Sequence, residues 1–300
     1  MTAPRRILPG QFHLLTRRCT QRQFLLRPDP ETNELFRYCL AVAANACEIG
    51  IIGWVAMSNH YHAVVYDPYG RVPEFLQRLN LSLAKVFNAK WGRMENLWSS
   101  SEAGVAWLPS FDEVLDKLVY VLANPSSADL VDSLIHWPGS SSLFHLDGHV
   151  TVHHRPRLVF AADGRMPEVV ELRTIVPPGI DMTQAEWAAR VRRELETREK
   201  DRAEHRRTHG ISIVGRKRIL RASHTDSPDT PSPRGKLNPA LACRDEAQRQ
   251  QLLKELIAYY VAYDAARRRF IAGERDAEFP AGTYQFRLLG ARCAPFPNAA

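Results

Sequence analysis

Two histidines one residue apart open the most reactive-looking stretch of the chain, Met57-Ser58-Asn59-His60-Tyr61-His62-Ala63-Val64-Val65. Side chains of an extended strand alternate faces, so His60 and His62 point the same way. Two imidazoles side by side on one face can grip one divalent ion. The same pattern also suits an ordinary half-exposed strand. A second constellation stands in Asp116-Lys117-Leu118-Val119-Tyr120-Val121-Leu122-Ala123-Asn124-Pro125. Tyr120 and Asn124 are one helical turn apart on one face. A phenolate attacks phosphorus once a base, a metal or a cation lowers the cost of ionising it. A tyrosine near a helix end also serves as a plain amphipathic core residue, and Asn-Pro as a plain helix stop.

The elements that must position these residues can be read in order. Gln11-Phe12-His13-Leu14-Leu15-Thr16-Arg17-Arg18-Cys19 follows the Pro9-Gly10 breaker as a strand. Pro28-Asp29-Pro30-Glu31 resembles a helix entry, and apolar residues recur at threes and fours over 34–48. Residues 49–56 read as a buried strand, and the histidine strand follows after a short turn, so the two pair as a hairpin. A second helix starts near Pro73 with Phe75, Leu76, Leu79, Leu83, Val86 and Phe87 on its apolar face. A further strand lies between Leu97 and Leu108, and a third helix runs from Phe111 to Ala123, stopped by Asn124-Pro125. This order predicts an α+β fold: a split βαβ sandwich, an antiparallel sheet with helices on one face, plus one more helix.

Asn59-His60-Tyr61-His62 before an apolar run, with Tyr120 four residues before Asn124-Pro125, resembles the single-tyrosine HUH transposases. Among them the pattern is most similar to the REP-associated tyrosine transposases. The resemblance covers roughly residues 1–150 and implies a ferredoxin-like fold. It implies that His60, His62 and Asn124 bind Mg²⁺ or Mn²⁺ and that Tyr120 is the nucleophile. A mixed imidazole and amide site discriminates among metals less sharply than a thiolate one. The implied activity is cleavage and rejoining of single-stranded DNA through a covalent 5′-phosphotyrosine. The implied substrate is single-stranded or hairpin DNA, and a homodimer is admitted. In one respect the chain departs from the family, which often has a basic residue soon after Asn-Pro. Here Ser126-Ser127-Ala128-Asp129 follows, which offers no basic side chain for a phosphate contact.

Charge agrees with a polyanionic partner: Lys+Arg 40 against Asp+Glu 33 gives +7 and a pI near 9.3. Candidate phosphate contacts are Arg17, Arg18, Arg22, Arg78, Lys85, Lys90 and Arg93, with Trp91 and Trp98 to stack on bases. These cations equally suit a solvated face, and the tryptophans a core. Five cysteines without a Cys-x-x-Cys spacing argue against a disulfide scaffold or a structural zinc site, and suit a reducing cytoplasm. No secretory signal is expected, nor a membrane span, since the most apolar stretch carries Asn45, Glu48 and Gly50.

Beyond a boundary near residue 150 the periodicity weakens, and residues 151–300 read as an accessory, largely helical extension. His153 and His154 are strand neighbours facing opposite ways, a poor metal pair. Residues 182–207 form a long charged helix opened by the capping box Thr183-Gln184-Ala185-Glu186. The basic cluster Gly215-Arg216-Lys217-Arg218 comes next, then a linker near 223–239 and a last long helix over 244–272. Two other functions fit less of the pattern. One is a non-catalytic DNA-hairpin-binding regulator on the same scaffold. The other is a hydrolytic metalloenzyme, which needs a carboxylate base near the histidines, with Asp67 the nearest in sequence.

Overall fold

The computed structural model describes residues 4–161, 164–230 and 239–297. Residues 231–238, part of the linker expected near 223–239, and the first three residues lie outside them.

The elements run β1 (Gln11–Arg18), α1 (Pro30–Cys47), β2 (Gly50–Met57), β3 (His60–Asp67), α2 (Val72–Lys90), β4 (Gly104–Leu108) and α3 (Phe111–Ser127). The four strands lie in the order β2-β3-β1-β4 and every neighbouring pair is antiparallel. This is the split βαβ sheet expected from the sequence, with the histidine strand central.

Local chemistry explains the helix starts. The Asp29 carboxylate accepts from the Thr32 amide at 2.7 Å, and Pro30 occupies the first turn, where its missing N–H costs nothing. Asp67, at the far end of β3, accepts from the amides of Arg71 at 2.9 Å and Val72 at 2.8 Å and so anchors the entry of α2. Ser110 caps α3 by accepting from the Glu113 amide.

Strand alternation sorts the chain into two cores. Leu15, Trp54, Tyr61, Ala63 and Val65 pack under α1 and α2. Val55, Met57 and Val64 pack on the other face, under α3 and under α4 (Gln184–His209) through Leu118, Val121, Trp187 and Val191. The third helix, expected as an addition to the sandwich, thus covers the face that α1 and α2 leave open. Gly53 lets it come close: a Cβ there would lie 2.4 Å from Leu118 Cδ1.

The expected stop at Asn124-Pro125 is corrected by the structure, because α3 continues through Pro125 to Ser127. A proline disrupts the turn before it, but so near the end little ladder remains to lose. The last carbonyls find other donors. The Ala128 amide binds Asn124 O at 3.0 Å, Leu130 N binds Pro125 O at 3.1 Å, and Ser126 Oγ binds Ala123 O at 3.0 Å. Tyr120 and Asn124 are therefore both helical.

After residue 150 the chain folds back over the same body. The hairpin β5 (Thr151–His154) and β6 (Val169–Leu172) lies on α1, where buried His153 meets the Glu34 carboxylate at 2.8 Å. Then α4 lies along α3, capped by the expected box at Thr183 and Glu186. Short α5 (Arg216–Arg221) follows, then α6 (Glu246–Ile271) and α7 (Gln285–Leu288), the last two around a small aromatic core of Tyr263, Phe270, Phe279 and Phe286. Both outer strands receive main-chain bonds from segments that follow α3 in the chain. Trp107 of β4 exchanges bonds with Ala240 and Ala242, while β2 bonds to Ser140, Ser142 and Ile175. No helix among the described residues is long and apolar enough to cross a membrane.

Candidate active site

Pairing register decides what surrounds the histidines. On β1, Thr16 stands opposite His62 and Arg18 opposite His60. All four therefore share the face that α3 covers. The rings of His60 and His62 lie 4.8 Å apart between centroids, at 87°. The Tyr120 ring meets His62 edge to face at 5.8 Å and 74°. Tyr120 is 43% exposed, open enough for a large ligand to reach it, whereas His62 is 7% exposed.

Each imidazole is held by its Nδ1. Thr16 Oγ1 lies 2.7 Å from Nδ1 of His62, and Asn59 Oδ1 lies 2.7 Å from Nδ1 of His60. The Asn59 amide is itself oriented, because its Nδ2 donates to the Arg22 carbonyl at 3.0 Å. Its oxygen must then face His60, which donates from Nδ1 and keeps the lone pair on Nε2. With Nδ1 engaged, Nε2 is the nitrogen left to His62 for a ligand, while His60 also meets the Asn124 side chain.

Electrostatics keeps the pair neutral. Desolvation lowers His60 from 6.5 to about 4, with the Arg18 charge adding to it; a hydrogen bond with the Asn124 side chain works in the opposite direction. That contact places the Asn124 amide on His60. Burial, His60 and Arg18 together push His62 well below its ordinary value. Neutral imidazoles carrying oriented lone pairs are the form that binds a metal. Two of them with an amide oxygen beside them are a donor set suited to Mg²⁺ or Mn²⁺, though a weakly selective one. Among the described residues no group of three His, Cys, Asp or Glu side chains converges, at this site or at any other.

The structure brings Arg18 to this cluster, with the Arg22 charge close enough to act on His60 as well, and places the remaining expected cations elsewhere. Arg17, one residue earlier, points to the opposite face, donates to the Ser99 carbonyl at 3.1 Å and lies 5.8 Å from the Trp98 ring. Arg78, Lys85 and Lys90 stand on α2, across the sheet from the histidines. Arg78 pairs with Glu74 at 2.9 Å, and the buried Lys90 ammonium bridges Asp29 at 2.8 Å and Glu31 at 2.7 Å. Lys85 is exposed, and Arg93 donates to Gln23 at 3.3 Å. Neither tryptophan is a free stacking platform. Trp98 is 9% exposed, while Trp91 donates to the Leu25 carbonyl at 2.9 Å and stacks on His224 at 4.4 Å. Asp67 is no base for the histidines: it lies at the other end of β3, roughly 20 Å from His60 at about 3.3 Å per residue, with its carboxylate spent on α2.

Sequence reasoning missed the supports. Thr16 has no local signature, since only the strand register reveals it. Asn59 was visible beside His60, but its orientation depends on the Arg22 carbonyl. The acidic departure after Asn-Pro also has a structural answer. Asp129, in a left-handed conformation with φ +54°, is gripped by Arg202 Nε at 2.9 Å and approached by Arg206 at 3.5 Å. Buried Arg206 further donates to the carbonyls of Ser126 at 3.1 Å and Asp132 at 3.2 Å. Basic groups from α4 thereby brace the end of the helix that carries Tyr120 and Asn124.

Sequence-level comparison finds no matching family and no matching curated protein. Among solved structures the chain is similar to a REP-associated tyrosine transposase bound to a REP hairpin. The two share 19% identity with a TM-score of 0.41, over 49% of this chain and 85% of the other. The transposase identity and the bound hairpin are that protein's.

Proposed function

We propose that this chain is a metal-dependent tyrosine transposase that cleaves and rejoins single-stranded DNA. The contact between the Tyr120 ring and His62, with His60 and Asn124 beside them, is the observation that carries the reading. The Tyr120 oxygen attacks phosphorus, the bond from phosphorus to the 3′ oxygen breaks, and that oxygen leaves as a hydroxyl after taking up a proton. The product is a 5′-phosphotyrosine, which keeps the energy of the broken bond, so rejoining needs no ATP. His60, His62 and Asn124 are the residues that would hold Mg²⁺ or Mn²⁺. Such an ion, when bound, polarises a non-bridging phosphate oxygen and offsets charge gathering in the transition state. Arg18 adds a fixed positive charge on the same face, suited to a phosphate oxygen. The substrate class is single-stranded DNA with hairpin ends.

Incubating the full chain with a labelled single-stranded hairpin, with and without Mn²⁺, tests this on a denaturing gel. A metal-dependent covalent protein–DNA band is expected. Hairpin binding with no such band would select the regulatory reading instead.

A further inference from the structure

The basic cluster of α5 takes no part in the site so far described. Arg216, Lys217, Arg218 and Arg221 are all exposed, and none forms an ion pair among the described residues. The other charged helices pair several of their cations. On α4, Lys200 pairs with Glu196 and Arg207 with Glu204; on α6, Arg249 pairs with Glu246 and Arg268 with Asp264. Concentrating four unneutralised cations in six residues costs repulsion, which an anionic ligand relieves.

This cluster is also fixed rather than loosely hung. Ile219 is buried in the core that α3 shares. At one end, Val214 N donates to Asp129 O at 2.8 Å and Gly215 N to Leu130 O at 2.9 Å, tying α5 to the loop that leaves α3. At the other end the Arg27 guanidinium donates to the carbonyls of Leu220 at 3.2 Å and Ala222 at 3.1 Å. That second attachment belongs to the loop whose Arg22 carbonyl and Leu26 amide hold Asn59 and Ser58, the turn that presents His60. The ledge thus spans the two segments that carry the candidate nucleophile and the candidate metal ligands. It is concave: a hollow of about 560 Å³ is lined by Val214, Gly215, Arg216, Lys217, Arg218 and Arg221. Exposed Ile213, Val214 and Leu220 lie among the cations, giving base faces something apolar to rest on.

We infer that α5 is a phosphate-binding ledge that takes the single-stranded DNA flanking the scissile phosphodiester, so that the extension supplies part of the DNA track. This rests on the reading of Tyr120 as a DNA nucleophile, but it is tested by binding alone.

The probe is a labelled hairpin carrying a mixed-sequence single-stranded flank, titrated with the full chain by fluorescence anisotropy at several salt concentrations. The test variant is Arg216→Ala/Lys217→Ala/Arg218→Ala. A control, Arg192→Ala/Arg193→Ala, removes exposed cations from α4, and circular dichroism checks that both fold. Single-stranded contacts release about 0.7 counterions per phosphate, so loss of three should flatten the slope of log Kd against log salt by about 2. Affinity at low salt should fall by about tenfold or more, with the control close to wild type and a charge-keeping Arg216→Lys/Arg218→Lys variant keeping the slope. An unchanged slope in the triple variant, an equal loss in the control, or no DNA binding by the wild type overturns the ledge. A wild type that forms no covalent adduct, beside a triple variant that still loses slope, overturns the nuclease reading and leaves the ledge standing.

Discussion

His62 and Tyr120 meet edge to face across the sheet–helix interface, ring centroids 5.8 Å apart, although one belongs to the central strand and the other to a helix packed on it. Their meeting depends on the parity of β3 and on Gly53, whose missing side chain lets Leu118 seat α3 against β2. Replacing Tyr120 by Phe keeps the ring and removes the oxygen. The covalent band on a denaturing gel should vanish, while hairpin affinity stays within about threefold and stability within about 0.5 kcal/mol, as for an exposed side chain.

Asn59 and Thr16 hold the imidazoles without contacting a ligand themselves. Asn59→Ala or Thr16→Val should weaken Mn²⁺ binding, measured by calorimetry on the full chain, by about 10- to 100-fold, the usual cost of losing such a support. Affinity unchanged in both variants would mean that ring orientation contributes nothing.

Buried histidines should shape the acid limb of stability, His13 and His60 among them together with His62 and His145. Burial, assisted by the Arg5 charge, lowers His13 to about 3, and neither ring nitrogen has a hydrogen-bond partner. Burial lowers His60 to about 4. Between those values and the ordinary 6.5 the unfolded chain binds protons that the folded chain refuses. Stability is therefore complete above about pH 6.5 and is lost progressively as pH falls toward 3. In thermal melts from pH 8 to 4, His13→Leu should hold its melting temperature to lower pH than the wild type. An identical acid limb in both proteins would remove His13 from the account.

Arg206 closes the end of α3. Arg206→Ala leaves the Ser126 and Asp132 carbonyls and part of Asp129 without their donor, at a cost of about 3 kcal/mol in urea unfolding. Arg206→Lys should recover only part, because a single ammonium lacks the planar fork that serves three acceptors. The adduct should also form more slowly in Arg206→Lys, since the same turn carries Asn124. A Lys variant with wild-type rate and stability would reduce Arg206 to a replaceable surface charge.

Much of this was legible in local pattern. Period-two alternation located the histidine strand and period-three-and-four spacing the helices, because each buries one face against a neighbour. The Thr183 box read correctly for the same local reason. Pro125 misled, since a helix near its end can borrow donors from elsewhere, here from Ala128, Leu130 and Arg206. Arg17 and Arg18 are indistinguishable as adjacent letters; only register sends one to Trp98 and the other to His60. The roles of Lys90 and Asp129 depend on partners far away in sequence, and no spacing rule reaches them.

The bonds that Ala240 and Ala242 make to Trp107, together with those that Ser140, Ser142 and Ile175 make to β2, leave neither margin of the four-stranded sheet bare. An uncovered margin is a template on which a second polypeptide can extend the ladder. Here that template is already occupied by the chain's own later segments. Two copies could not fuse their sheets into one continuous surface without first peeling those segments away. Any self-association must use other surfaces, and the same covering guards the molecule against runaway strand addition.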